Sequence, residues 1–179
     1  MTLFRERADV SVRPAVGEDD HSVARIQMDA WRAHHGSLLG PDVLDQLDVE
    51  AVRDQWERAI TEPPTAGRHV LVACQGAQVV GLAALAPADD GAEVVALEVD
   101  PDHQRSGHGS RLLAACVDLA REAGHTHLQT WVLDRDEART GFLASAGLGP
   151  DGARRELGIS ADETGLTRTV NEHRWVAEI

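Results

Sequence analysis

The sequence predicts a mixed α/β domain built on a strongly twisted sheet of six to seven strands with about four helices. Residues 92–99 form a strand-like run, followed by a glycine-containing loop, a helical segment and a second run at residues 127–133. This order favours a parallel pair joined by a right-handed crossover. Residues 69–74 and 78–86 are separated only by Gln75-Gly76-Ala77, which predicts an antiparallel hairpin. The sheet is therefore expected to be mixed.

The remaining predicted strands are shorter and lie at residues 11–13, 153–157 and 171–177. A length of 179 residues with 42% hydrophobic content suits one core without disulfides or metal. We therefore expect a single domain over residues 1–179, with residues 1–9 disordered.

Four segments have the apolar spacing of helices. The first opens after Glu18-Asp19-Asp20 and is expected to fade near His34-His35-Gly36, the second covers residues 49–60, the third carries an apolar stripe over residues 112–123, and the fourth lies within residues 134–146. Gly124 and Gly147 are the expected stops of the third and fourth helices.

Composition argues against several classes of protein. The formal net charge of −13 repels phosphate backbones, and no segment clusters Lys or Arg with aromatic residues, so nucleic acid is not an expected partner. Residues 1–9 carry charges of both signs and no apolar run, which predicts a cytoplasmic protein with no membrane partner.

Cysteine and histidine usage gives no indication of a metal site. Cys74 and Cys116 each lie in an apolar segment and are expected to be reduced core thiols. Among the nine histidines, the adjacent pair His34-His35 diverges on a helix, and the pair His125-x-His127 lacks a third convergent ligand. We expect no metal.

The most informative segment, residues 95–113, places two glycines where a loop enters a helix. The first N–H groups of a helix are unpaired and carry partial positive charge, and glycine lets a pyrophosphate approach the backbone closely. Phosphate binding is therefore expected. A dinucleotide fingerprint would need a third glycine at Leu112, and a P-loop would need a Gly-Lys-Ser/Thr ending that is absent.

Gln104-Arg105-Ser106-Gly107-His108-Gly109, preceded by Val99-Asp100-Pro101, resembles the Q/R-x-x-G-x-G/A motif of the GNAT N-acetyltransferase superfamily. Trp131-Val132-Leu133, a polar helix start and Phe142 are similar to the family's W-V-L-x-x-N-x-x-A-x-x-F-Y-x-x-x-G-F segment, and the spacing to Gly147-Leu148 fits. The resemblance covers residues 11–148.

The resemblance implies a GNAT fold in which coenzyme A wedges between the splayed parallel strands. It also implies transfer of an acetyl group from the cosubstrate acetyl-CoA to a primary amine, small-molecule or peptide, by direct attack in a ternary complex. Dimers are common among the proteins that this chain resembles, so a homodimer is a further expectation.

The family's contacts to coenzyme A can be carried over by position. They imply that backbone groups of Leu97, Glu98 and Val99 hold the acetyl oxygen at a strand bulge, that Gln104 and Arg105 brace the loop, and that the pyrophosphate meets Arg105, Ser106, Gly107, His108, Gly109 and Ser110. The family's asparagine position is Asp136 here, which accepts but does not donate when ionised, so the usual contact to the pantetheine arm is in question.

Candidates for moving protons are two carboxylates and one hydroxyl. Glu93 and Glu98 lie on the strand beside the expected acetyl group, and either could deprotonate the amine, directly or through water. Positions five apart lie on opposite faces of a strand unless a bulge intervenes, so at most one is expected to face the site. The family's tyrosine acid falls on Leu143 and the chain has no tyrosine, which leaves Thr140 or water to protonate the leaving thiolate.

Candidate acceptor contacts are Trp31, His34 and His35, because this early region covers the acceptor side in related enzymes, and His173 near the C-terminus. Trp31 could alternatively pack in the core. The acidic composition leans towards a cationic acceptor. Two other hypotheses remain: an acyl-CoA sensor without catalysis, consistent with the absent tyrosine, and an interaction protein with a coincidental glycine loop.

Overall fold

The computed structural model of the chain describes residues 10–39, 44–45, 47–159 and 168–179. Its strands are β1 (Val10–Pro14), β2 (His69–Gln75), β3 (Gln78–Ala88), β4 (Gly91–Val99), β5 (His127–Leu133), β6 (Gly149–Ile159) and β7 (Arg168–Glu178). Its four long helices are α1 (Asp20–Leu39), α2 (Val49–Thr61), α3 (His108–Glu122) and α4 (Glu137–Ser145). Within the described residues, the strands form one sheet in the order β1-β2-β3-β4-β5-β7-β6, in which only β4 and β5 pair in parallel. The predicted mixed sheet is confirmed.

Two apolar clusters cover the two faces of this sheet. One combines α3 and α4 with the strands and includes Leu112, Leu128 and Leu143. The other combines α1 and α2 with the opposite face and includes Ile26 and Leu82.

The cysteine prediction is also confirmed. Cys74 and Cys116 are free and buried, one in each apolar cluster. Burial raises the pKa of the Cys116 thiol to about 12, so this side chain stays protonated at neutral pH.

A β-bulge interrupts β4 in the middle of the strand. Leu85 of β3 pairs with Val94, whereas Ala84 pairs with Ala96, which leaves Val95 as the extra residue. Val94 and Leu97 consequently enter the same apolar cluster although they are three residues apart. Because the extra residue shifts the alternation of side chains along β4, Glu93 and Glu98 both lie on the opposite face of the strand.

The parallel pair separates shortly after it begins. β4 and β5 are paired only at Ala92↔Leu128 and Glu93↔Gln129. Beyond this point β5 pairs with β7 as far as Leu133↔Glu172, while β4 remains paired with β3. The two strands therefore diverge towards Val99, and an opening lies between them.

Some boundaries differ from the predictions. α1 continues through Gly36 to Leu39, and His35 within it is anchored to Asp136 by a 3.1 Å contact from Nε2 to Oδ2. β6 and β7 are longer than predicted because they pair with each other along exposed polar stretches, with an ion pair between Arg155 and Glu172. The expected disorder of residues 1–9 concerns residues outside the described ranges. None of the helices in the described ranges is long and apolar enough to cross a membrane.

Candidate functional site

The N-terminus of α3 presents free backbone N–H groups. Its N-cap, Gly107, has a φ of 81°, and within the described residues no side chain caps the helix and no acidic residue lies in its first turn. The other well-defined N-termini differ, since Asp48 caps α2 and Asp136 caps α4. The start of α3 therefore keeps its capacity to bind an anion.

The loop before α3 is braced against β4 and α1. Gln104 Nε2 donates to the Val99 carbonyl oxygen at 3.3 Å and lies 2.7 Å from His34 Nε2. Arg111 Nη1 donates to the Ser106 carbonyl oxygen at 3.2 Å. These contacts fix the direction in which the loop amides point.

A cavity of about 430 Å³, here called the loop cavity, lies beside this loop. Arg105, Gly107, His108, Gly109 and Ser110 line it together with Val99 and Phe142. A Cβ added at Gly109 would lie 3.6 Å from the Phe142 ring, so a larger side chain would project into little space.

His108 is the first residue of α3 and is only 1% exposed. Neither of its ring nitrogens has a hydrogen-bond partner among the described residues. Burial lowers the pKa of His108, and the charges of Arg111 and His103 lower it further, so the imidazole is neutral at pH 7. The ring thus belongs to the lining of the loop cavity with its N–H unpaired among the described residues.

A second cavity of about 640 Å³, here called the strand cavity, lies at the opening between β4 and β5. Its lining is largely apolar and includes Trp31, Leu44, Leu47, Trp131, Leu157 and Val170. Trp31 is half-buried and belongs to this wall.

The two cavities share five lining residues, His35, Leu97, Glu98, Asp136 and Arg139, which we call the junction. An ion pair and a hydrogen bond lie there: Arg139 Nη2 is 2.9 Å from Glu98 Oε1, and His35 Nε2 is 3.1 Å from Asp136 Oδ2. Burial alone would raise the pKa of Asp136, but hydrogen bonds from His35 and from the Arg139 backbone N–H hold it below its usual value. The junction thus carries ionised groups between two ligand-sized spaces.

Arg139 is the junction residue that sequence reasoning missed. Its Nη1 donates to the Leu97 carbonyl oxygen at 2.5 Å, so its guanidinium reaches from α4 across the opening to β4. A signal was present in the sequence, because Arg139 stands where the W-V-L-x-x-N-x-x-A segment has alanine. A long cation therefore stands beside the expected acetyl site at the position where that segment has a methyl group.

The predicted proton carriers are not all at the junction. Glu98 is 9% exposed and lines both cavities. Glu93 lies at the paired end of β4, where its Oε2 accepts a hydrogen bond of 2.7 Å from Gln129 Nε2. Thr140 Oγ1 donates to the Glu137 carbonyl oxygen of its own helix at 3.2 Å.

The predicted acceptor contacts are also divided. His34 lines the loop cavity, His35 lines both cavities and Trp31 lines the strand cavity. His173, on β7, contacts Asp134 and belongs to the lining of neither cavity. Across the described ranges, no group of three or more His, Cys, Asp or Glu side chains is arranged to hold a metal ion.

Comparisons with known proteins agree with this geometry. Residues 22–148 match the family described as Acetyltransferase (GNAT) family. A Bacillus subtilis protein described as an uncharacterized N-acetyltransferase, YuaI, is 27% identical over 134 residues, which cover 71% of this chain and 73% of that protein.

Two solved structures share the fold. PaiA N-acetyltransferase from Thermoplasma acidophilum, in complex with coenzyme A, has a TM-score of 0.74 at 12% identity and covers 96% of this chain and 99% of its own. Ribosomal-protein-alanine N-acetyltransferase from Brucella melitensis has a TM-score of 0.69 at 23% identity, with coverages of 94% and 99%. With a family match over most of its length and a parallel pair that opens onto an uncapped helix N-terminus, the chain belongs to the acetyltransferase (GNAT) family.

Proposed function

We propose that this acetyltransferase moves an acetyl group from acetyl-CoA to a primary amine by direct attack within a ternary complex. The observation that carries the proposal is the junction, where the loop cavity and the strand cavity meet at ionised side chains. Two substrates that enter from opposite sides would react where the spaces join. Coenzyme A in the complex of the Thermoplasma acidophilum protein supports this assignment of the donor.

The residues around the loop cavity fit the donor. The uncapped amides of α3 and the exposed side chains of Arg105 and Arg111 suit a pyrophosphate, despite the negative net charge of the chain. The neutral, unpaired imidazole of His108 adds a further hydrogen-bond donor. The opening between β4 and β5 then leads from the loop to the junction.

Bound there, acetyl-CoA supplies an activated thioester, and transfer to an amine forms an N–C bond, breaks the C–S bond and leaves one thiol and one amide. The acceptor must first lose the proton that makes it an ammonium ion. Glu98 faces the junction and is our choice of base, whereas Glu93 is hydrogen-bonded at the closed end of the strand pair.

Arg139 is our choice for the electrostatic task that the absent tyrosine leaves open. Its guanidinium is held beside Glu98 and the Leu97 carbonyl, in a partly buried position where a cation stabilises developing negative charge effectively. The Thr140 hydroxyl donates to a carbonyl oxygen of its own helix. We therefore favour water as the group that protonates the leaving thiolate, with the Arg139 guanidinium stabilising its charge.

The experiment that tests the proposal measures free thiol released from acetyl-CoA in the presence of an amine library. Both cysteines of the chain are buried, so the protein's own thiols contribute little to the signal. Amine-dependent thiol release supports catalysis. Saturable acetyl-CoA binding without release from any amine would instead identify a non-catalytic acyl-CoA sensor.

Glu98→Gln is expected to lower kcat/KM at pH 7 by at least about 100-fold, the usual size of a general-base contribution, and to abolish the acidic limb of the pH–rate profile. Acetyl-CoA affinity should be retained. The matched control is Glu93→Gln, the same chemical change on the same face of β4, which should keep the profile. Identical profiles in both variants and the parent protein would transfer the role of base to water.

A further inference from the structure

The apolar lining and the partnered charges of the strand cavity indicate which class of amine it can accept. We propose that the acceptor is a primary amine with a single positive charge on an apolar alkyl or aryl body, rather than a polyamine or another multiply charged amine. This inference rests on the proposed function, because it assigns the strand cavity to the acceptor. It narrows the cationic acceptors that composition suggests to amines with one charge and an apolar body.

The first support is the wall of the cavity. Two tryptophans, Trp31 and Trp131, and aliphatic side chains from the α1–α2 region and the outer strands surround a volume of about 640 Å³. Spaces of this size hold drug-sized ligands, and lining of this kind favours burial of apolar surface. An acceptor that consisted only of charged groups on a short chain would leave this wall without a partner.

The second support is that each carboxylate in the lining already has a hydrogen-bond or ion-pair partner. Of the carboxylates that described residues contribute to the lining, Glu98 faces Arg139 at 2.9 Å, Asp136 faces His35 at 3.1 Å, and Glu172 faces Arg155 at 2.5 Å. An amine that loses its proton before transfer needs one base. A second ammonium group would find no unpaired carboxylate among these residues, and burying an unpaired charge is costly.

The third support is that the ring of Trp131, which lines the strand cavity, already has cationic neighbours. The Arg155 guanidinium carbon lies 4.3 Å from the centroid of the Trp131 ring, and that of Arg174 lies 6.0 Å from it. Both arginines are held by carboxylates, Arg155 by Glu172 and Arg174 by Asp151. A distal ammonium group that extended towards Trp131 would therefore meet an aromatic ring that already has a cation–π partner.

The test compares acceptors that differ in one feature. Hexylamine and 1,5-diaminopentane have the same length and differ only in a terminal methyl or ammonium group. With saturating acetyl-CoA, kcat/KM is expected to rise about fourfold for each methylene from propylamine to hexylamine. Hexylamine is expected to exceed 1,5-diaminopentane at least tenfold. A flat series, or a diamine that matches or exceeds hexylamine, would overturn the proposal.

A charge substitution in the wall gives a second, gain-of-function test. Leu157 is 38% exposed on β6 and lines the strand cavity, so Leu157→Glu supplies an unpaired carboxylate without disturbing the core. This variant should lower the hexylamine to diaminopentane ratio at least tenfold. The matched control is Val49→Glu, an apolar residue that is 45% exposed outside both cavities, and it should leave the ratio unchanged. Equal ratios in the two variants would contradict the assignment.

Binding separates this inference from the proposed function. If no amine in any test releases thiol, acetyl transfer to amines is wrong, and calorimetric titration in the presence of free coenzyme A decides the nature of the cavity. Saturable binding of hexylamine that is weakened by Trp31→Ala supports an apolar monoamine site. Tighter binding of 1,5-diaminopentane than of hexylamine, or binding of neither, overturns it.

Discussion

Gly109→Asp is expected to weaken acetyl-CoA binding by at least about 100-fold, which corresponds to about 2.7 kcal/mol. The new carboxylate would lie beside the Phe142 ring at the N-terminus of α3, where the backbone amides have no side-chain cap and can bind a phosphate. It would compete for the same N–H groups and repel the pyrophosphate, and charge-assisted hydrogen bonds of this kind contribute roughly 1.5–3 kcal/mol each. Calorimetric titration with acetyl-CoA measures the effect.

The free energy of unfolding of the Gly109→Asp variant should not fall with its acetyl-CoA affinity. A carboxylate near a helix N-terminus typically stabilises the helix by about 0.3–1 kcal/mol, so thermal stability should be retained or rise slightly. The matched control is Gly141→Asp in α4, where an added Cβ meets nothing within 4 Å. That variant should keep acetyl-CoA affinity within about twofold. Equal losses of affinity in the two variants would remove the phosphate site from the start of α3.

Gly91→Ala is expected to lower the free energy of unfolding by about 2–4 kcal/mol. Gly91 has a φ of 152°, and a Cβ there would lie 2.3 Å from the carbonyl oxygen of His127. This contact is between backbone groups at the closed end of the β4–β5 pair, so β4 or β5 must shift to relieve it. For a chain of this length the melting temperature should fall by roughly 5–15 °C, as measured by calorimetry or circular dichroism.

Gly76→Ala is the matched control for the clash. Gly76 has a φ of 60° in the turn between β2 and β3, but an added Cβ meets nothing within 4 Å. This variant should show only the backbone strain of a left-handed residue, about 1 kcal/mol. If both glycines gave the same loss of stability, the close approach of β4 and β5 at Gly91 would be contradicted.

The parts of the fold that sequence predicted best are those with strong local patterns. The sequence predicts a strand at residues 127–133, and β5 has the same bounds. It predicts a helix at residues 49–60, and α2 ends one residue later at Thr61. Apolar periodicity and the flanking helix stops are sufficient to predict the type and the bounds of these elements. The long strands β6 and β7 were underestimated because exposed, charged segments acquire strand structure by pairing with each other.

The bulge at Val95 and the position of Arg139 depend on contacts that are distant in the chain. The bulge is fixed by the register of β4 against β3, which a strand's own sequence does not reveal. It puts Glu93 and Glu98 on one face, where regular alternation separates them. Arg139 meets the Leu97 carbonyl oxygen 42 residues earlier in the chain, so only the assembled opening shows its contact. The phosphate-binding loop could be predicted from sequence because its glycines and backbone amides lie within one short segment of the chain.

The most direct test of the central claim is a calorimetric titration of the chain with acetyl-CoA, repeated at increasing salt concentration. The account predicts one saturable site per chain, with an affinity that falls as salt screens the pyrophosphate from the start of α3 and the side chains of Arg105 and Arg111. Absence of saturable binding at millimolar acetyl-CoA, while the protein remains folded, would contradict it.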